Sequence, residues 1–274
     1  MNRDQLAAIA AQTDEIVAEG RYTSGSGQSV HIAPAVAESV RATRLYLPHE
    51  PVVPREGDAA DGKQAVVEVT GCSTLAAARR LAAEAKDEPA CLNFASATKP
   101  GGGYRSGALA QEESLARASG LAACLRAVEG YYEHHRAAGD PLYSDRIVYS
   151  PGVPVFRDDD HVLLDAPYEV AFLTAAAPNA SATTTAGQRA RIPDVLRSRA
   201  AKVLAVAHHN GHERLVLGAW GCGVFGNDPG VVAQVFAELL TGHGPFARRF
   251  THVVFAVLDR PPYPRLDAFR GAFG

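Results

Sequence analysis

Two stretches of this chain follow one plan: a short apolar run, a cluster of glycines, then a helix start. The first, from Pro89 to Gly120, reads PACLNFASATKPGGGYRSGALAQEESLARASG. Cys91, Leu92, Phe94 and Ala95 make a buried strand, broken by Thr98, Lys99 and Pro100. Gly101, Gly102 and Gly103 follow, and Gln111, Glu112 and Glu113 then open an alanine- and leucine-rich helical pattern. Glycine lets a backbone come close to a ligand because no Cβ stands in the way. A helix N-terminus adds free N–H groups and partial positive charge, which favour phosphate. Two acids in that turn have two explanations. One is complementation of the helix dipole, worth only ~0.3–1 kcal/mol. The other is a carboxyl group set as general acid beside a sugar–phosphate ligand. Neighbouring helical residues point about 100° apart, so Glu112 and Glu113 cannot do the same job. One can grip a ligand hydroxyl while the other transfers a proton.

The second stretch has a strand from Leu215 to Trp220 and then Gly221-Cys222-Gly223-Val224-Phe225-Gly226. Asn227 or Asp228 serves as N-cap, with Pro229 at the first helical position, where its missing N–H costs nothing. The loop formally matches G-x-G-x-x-G between a strand and a helix, so a nicotinamide-dependent oxidoreductase is one reading, with Asp259 as its ribose-binding acid. Position argues against it. Only Arg260 to Gly274 remain after the next strand, whereas a doubly wound nucleotide domain needs several more strands behind its fingerprint. A better use of both loops is as two walls of one cleft, beyond the carboxyl ends of the strands. Such a cleft suits a diphosphate flanked by sugars, with Phe225 facing the ligand.

The remaining pattern is alternation. Residues 3 to 19 space Leu6, Ile9, Ala10 and Ile16 as an amphipathic helix ending at Gly20. Residues 31 to 62 are mixed, with Pro48, Pro51 and Pro54 around a short edge strand. Residues 1–62 read as an accessory extension packed on a core of residues 63–274. In that core, strands are expected over 65–70, 90–95, 146–149, 154–156, 168–174, 215–220 and 251–258, with Pro151-Gly152 separating the third from the fourth. Helices are expected from Ser73 or Thr74 to about Lys86, over 111–129, over 193–210 behind a polar loop at 181–187, and over 229–240. This is an α/β sandwich around a mixed, largely parallel sheet.

Composition removes several classes. The formal net charge of −3 gives no basic field to hold nucleic acid. The four cysteines form no C-x-x-C pair, which argues against zinc and disulfides and suits a reducing cytosol. The N-terminus is polar and no apolar run reaches about 18 residues, so a soluble cytoplasmic protein is expected. His134-His135, His208-His209 and His212 lack metalloprotease spacing and are expected in surface or capping roles. Asp158-Asp159-Asp160 reads as a solvated turn. Neither a metal nor a cofactor is expected.

PGGGYRSGALAQEES resembles the signature of poly(ADP-ribose) glycohydrolases, a triple glycine followed at short spacing by Gln-Glu-Glu. GAWGCGVFGND, Gly218 to Asp228, resembles that family's diphosphate-binding loop, and the order LNFASA, YSPGVPVF, THVVFAVLD resembles its short microbial form. The resemblance covers about residues 63 to 260. It implies a macrodomain-like three-layer α/β/α sandwich with an N-terminal helical extension. It implies hydrolysis of ribose–ribose bonds in poly(ADP-ribose) or on ADP-ribosylated protein, from chain ends, with release of ADP-ribose; a monomer with no direct hold on DNA or membrane is expected. Glu113 would be the general acid and then the base, and Glu112 would hold ribose hydroxyls. Ser96, Gly101, Gly102, Gly103, Gln111, Gly221, Cys222, Gly223, Val224, Phe225 and Gly226 would bind ADP-ribose. The same fold would also serve a reader that binds ADP-ribose without cleaving it; the glutamate pair, which binding alone does not need, separates the two.

Overall fold

In the computed structural model, residues 1–53, 63–85 and 87–274 are described; Pro54, the expected division after residue 62 and the expected helix end at Lys86 lie outside them. The chain begins with α1 (Arg3–Glu19), β1 (Arg21–Thr23), β2 (Ser29–His31), α2 (Ala33–Ala42) and β3 (Arg44–Tyr46). Asn2 and Gln5 close a capping box at the start of α1, and Gly20 ends it in the left-handed conformation. Then come β4 (Val66–Thr70), α3 (Thr74–Glu84), β5 (Ala90–Phe94), α4 (Gln111–Ala118), α5 (Leu121–Arg126) and α6 (Glu129–Ala138). The chain finishes with β6 (Ile147–Arg157), β7 (Leu163–Ala175), α7 (Ala186–His209), β8 (Arg214–Leu217), α8 (Pro229–Leu240), β9 (His252–Ala256) and α9 (Pro264–Phe273).

Seven strands lie in the order β3-β6-β7-β5-β8-β9-β4. From β7 to β4 every pairing is parallel, while β6 runs antiparallel to β7 and β3 antiparallel to β6. Such a sheet must be covered on both faces, and the side-chain alternation of β5 shows how. Ala90 and Leu92 join the cluster containing Leu204, Phe236 and Phe269 from α7, α8 and α9. Cys91, between them, joins Leu81, Leu115, Leu125 and Tyr131 from α3, α4, α5 and α6 on the other face. The result is the three-layer, largely parallel sandwich expected.

Several boundaries differ from expectation. The strand pieces on either side of Pro151-Gly152 are one strand, β6, with a bulge where Gly152 takes φ 61° and donates its N–H to Glu88. The single helix expected over 111–129 is broken. Ser119 is extended and bridges Val155, while Gly120 N–H donates to Pro154 O, so contact with β6 interrupts the helix and α5 starts afresh. The helix expected from Pro193 starts earlier, at Ala186, where Thr185 and Gln188 form a capping box; Pro193 sits inside it. Helix α9 was not expected at all.

Residues 1–46 reach the core at several places. Ile16, Tyr22, Val30 and Ile32 pack on Phe156 of β6. Thr13 Oγ1 donates to Arg117 O at 2.6 Å, and Asp14 accepts from Tyr104 Oη and Arg105 Nε, both at 2.8 Å. Strand β3 is the edge of the main sheet. Among the described residues no helix is long and apolar enough to cross a membrane.

Candidate active site

The C-terminal ends of β5, β8 and β9 open into a cleft of about 1180 Å³. Both glycine loops line it, Gly102 and Gly103 on one side and Gly221, Gly223, Val224 and Phe225 on the other. The start of α4 supplies Gln111, Glu112 and Glu113, and Ser96 follows β5. The remaining expected site residues, Gly101, Cys222 and Gly226, shape the loops without lining the cleft.

Gln111 ties the helix to the strand that precedes it. Its Oε1 accepts Phe94 N–H at 2.9 Å and its Nε2 donates to Leu92 O at 2.8 Å. With the helix start thus fixed, Glu112 turns inward. It is 3% exposed, Oε2 accepts Ser96 N–H at 2.7 Å, and Oε1 accepts from Asn93 Nδ2 at 3.3 Å. Burial pushes its pKa up to about 8, and the neighbouring Glu113 charge adds to that. Glu113 points elsewhere, as its place on the helix dictates. It is half-buried, and its Oε1 accepts Gly103 N–H at 2.9 Å. Gly102 makes this arrangement possible. At φ 61° a side chain is strained, and a Cβ there would stand 2.4 Å from Glu113 Oε1 and 3.0 Å from Glu112 Oε2.

The second loop is closed on itself and bolted to the end of β7. Asn227 is buried; its backbone N–H donates to Gly221 O at 3.0 Å, and its Nδ2 donates to Gly221 O and to Pro178 O. Gly221 could not be otherwise, since a Cβ would meet Asn227 Nδ2 at 2.4 Å and Ala177 Cβ at 2.5 Å. Trp220, fully buried, donates Nε1–H to Ala175 O at 2.9 Å. Cys222 is buried, and its thiol pKa is pushed up to about 12 by that burial, so it is no nucleophile near neutral pH. Phe225 is half-buried against Tyr143, ring centroids 5.9 Å apart, whereas Val224 is 83% exposed at the cleft mouth. Asp228 caps α8 by accepting Val231 N–H. Asp259 caps α9, accepting from Arg265 N–H and Leu266 N–H.

Sequence reasoning missed the far wall. Leu258 to Pro262 before α9, Pro264 and Arg265 in its first turn, Ser73 and Thr74 around the start of α3, and Asp159 from the β6–β7 turn all line the cleft. Asp159 accepts from Ser73 Oγ at 2.7 Å, so the turn read as merely solvated reaches the site. Nothing local marks it, because the reach comes from the length of the β6–β7 hairpin. Of the histidines, His135 bonds Ser144, His209 bonds Val53 O and His212 bonds Tyr149, all away from the cleft.

This architecture matches known proteins. The family model for the microbial-type poly(ADP-ribose) glycohydrolase catalytic domain matches residues 10–158. The crystal structure of poly(ADP-ribose) glycohydrolase from Thermomonospora curvata is 57% identical, with a TM-score of 0.93, over 99% of this chain and 100% of that one. The same enzyme bound to the inhibitor ADP-HPD is 59% identical, with a TM-score of 0.93, over 98% and 99%. The enzyme from Deinococcus radiodurans in complex with ADP-ribose is 46% identical, with a TM-score of 0.81, over 88% and 97%. A comparison with curated protein sequences returned no match. With the family model spanning more than half of its length and solved relatives matching nearly all of it, the chain belongs to the microbial-type poly(ADP-ribose) glycohydrolases and is a glycosidase.

Proposed function

We propose that the chain cleaves ribose–ribose bonds of poly(ADP-ribose) from the chain end, with Glu113 as general acid and then base and Glu112 as the ribose-holding group. The observation that carries this is the division between the two carboxyls. Glu113 lines the cleft with one oxygen oriented by Gly103 N–H, while Glu112 is buried and oriented by Ser96 and Asn93. In the first step the proton of Glu113 passes to the oxygen of the leaving ribose, the C–O bond breaks, and positive charge develops on the anomeric carbon. The Glu113 carboxylate then takes a proton from water, whose oxygen bonds to that carbon. Glu112, holding its proton near neutral pH, is able both to donate to and accept from ribose hydroxyls. The usual two-carboxylate geometry, with acids on opposite faces of the bond, does not transfer to adjacent residues of one helix.

The two glycine loops, Gly101–Gly103 and Gly221–Gly226, with Ser96, Gln111 and Phe225, bind ADP-ribose in this reading. The binding of ADP-ribose by the Deinococcus radiodurans relative supports it. The reading extends to reversal of ADP-ribosylation on proteins, including that of the DNA damage response. It places the protein in the cytoplasm as a monomer, with residues 1–62 an accessory extension and with no direct hold on DNA. The net charge of −3 supports the last point and four free cysteines support a reducing compartment.

The test is incubation with poly(ADP-ribose) and detection of free ADP-ribose. Glu113→Gln is expected to lose about 10²–10⁴-fold in kcat while still binding ADP-ribose. A fully active Glu113→Gln would overturn the assignment. Internal oligomers among the earliest products would overturn cleavage from the chain end.

A further inference from the structure

Arg117 lies on α4 four residues beyond Glu113, hence on the same face one turn on. It is completely buried, and among the described residues it pairs with no carboxylate. Its Nη1 donates to Ala108 O at 2.8 Å, while Nε and Nη2 have no partner. Burying a guanidinium without a counter-charge is costly, and arginine does not escape the cost by losing its proton. The position therefore needs a reason. The hydrogen bonds around it supply one. Arg117 holds Ala108 O, Ala108 N–H donates to Gly103 O at 3.1 Å, and Gly103 N–H donates to Glu113 Oε1 at 2.9 Å. The path leaves α4 at Arg117, runs through the glycine loop and returns to α4 one turn earlier, at the candidate acid. Arg117 does not line the cleft, and its own carbonyl is held by Thr13 of α1.

We propose that Arg117 is a positioning residue for the reaction: it closes this circuit around Glu113, and its buried charge favours the carboxylate that forms as the proton leaves. This rests on the reading of Glu113 as general acid. Burial works to lower the Arg117 pKa, and the Glu113 charge is the influence opposing it. Other charges face the same region. Glu112 is adjacent on α4; Lys99, Asp159, Asp259, Arg260 and Arg265 line the cleft from its loops. Arg157 and His161 of the β6–β7 hairpin lie near Arg117, with Asp158 and Asp159 acting on His161. Asp14 of α1 is occupied by Tyr104 and Arg105. The cleft-lining cations act through solvent, which screens them; Arg117 acts through the protein interior.

The experiment is the pH dependence of kcat on poly(ADP-ribose) for the parent, Arg117→Lys and Arg117→Met, with folding checked by thermal melting. A general acid must be protonated in the complex, so the basic limb of kcat reports it. Arg117→Met is expected to move that limb up by about one pH unit and to lower kcat about tenfold at neutral pH, with KM little changed. Arg117→Lys, which keeps the charge, leaves the limb in place. A limb in Arg117→Met that coincides with the parent's, or a change in KM alone, overturns the proposal. Should Arg117→Met not fold, Arg117→Gln is read by the same two outcomes. If neither neutral variant folds, Arg117→Lys decides: lowered kcat at constant KM supports the circuit, and unchanged kcat overturns it. Glu113→Gln separates the two layers. If it is active, the acid has been misassigned; if it is inactive while the limb of Arg117→Met stays put, only the role of Arg117 falls.

Discussion

Glu112 and Glu113 are consecutive residues in the first turn of α4 and both line the cleft, yet the Glu112 carboxyl is buried on Ser96 N–H and Asn93 Nδ2 while the half-buried Glu113 turns to Gly103 N–H. The buried one carries a consequence for stability. The Glu112 pKa is raised from 4.5 to about 8 by burial, so the folded protein holds this proton more tightly than the unfolded chain does. Its stabilising contribution is fully present below about pH 4.5 and is lost as pH rises through 8, a change on the order of a few kcal/mol. Thermal denaturation between pH 4 and 9 is expected to show a falling melting temperature whose slope is flatter in Glu112→Gln. Equal slopes in the two proteins would count against a buried, proton-holding Glu112.

Gly102→Ala tests the close approach of loop and acids. The new methyl group would fall 2.4 Å from Glu113 Oε1, on a backbone at φ 61°. It is expected to cost about 1–3 kcal/mol in stability and to lower kcat about 100-fold or more, because small misplacements of a catalytic group are that expensive. Retained activity with a folded protein would show that the carboxyl can move aside without loss.

Asn227→Ala tests the second loop. It removes the side-chain hydrogen bonds to Pro178 O, which is buried, and to Gly221 O, which keeps the Asn227 backbone N–H, at a cost of about 1–3 kcal/mol. Because this loop lines the cleft on the side away from the acids, ADP-ribose affinity is expected to fall about tenfold while kcat changes less. Calorimetric titration with ADP-ribose beside steady-state kinetics distinguishes this from a loss confined to kcat.

Asp14→Ala tests the link between α1 and the glycine loop. Asp14 accepts from Tyr104 and Arg105, which follow directly on the triple glycine. The loss of about 1 kcal/mol in stability is expected to come with a lower kcat. An unchanged rate would mean that Gly103 is held without help from α1.

What the sequence made legible was local. Both strand–glycine–helix units carry their signals within about ten residues, so the pattern alone points Glu112, Glu113 and Phe225 to one cleft, and the family resemblance adds Ser96. Long-range contact decided the rest. Helix α4 stops because Ser119 finds a β-bridge to Val155, which no helical propensity announces. Asp159 reaches the cleft only because a hairpin of two long strands carries it there. The start of α7 was legible in principle, as Thr185 and Gln188 spell a capping box; Pro193, read as a first helical residue, displaced the boundary. The buried Arg117 looks from sequence like any charge inside the helix expected over 111–129.

The strand order also bears on synthesis. Strand β4, the first of the parallel set to be made, pairs with β9, Val66 opposite His252, so its neighbour leaves the ribosome long after it. On the other side of β9 lies β8, which carries the second glycine loop and joins β9 to β5. Contacts so distant along the chain fold slowly and late. A nascent chain that already displays Glu112 and Glu113 therefore has half a cleft, and it gains the other half only when β8 and β9, far along the chain, are available to complete the sheet.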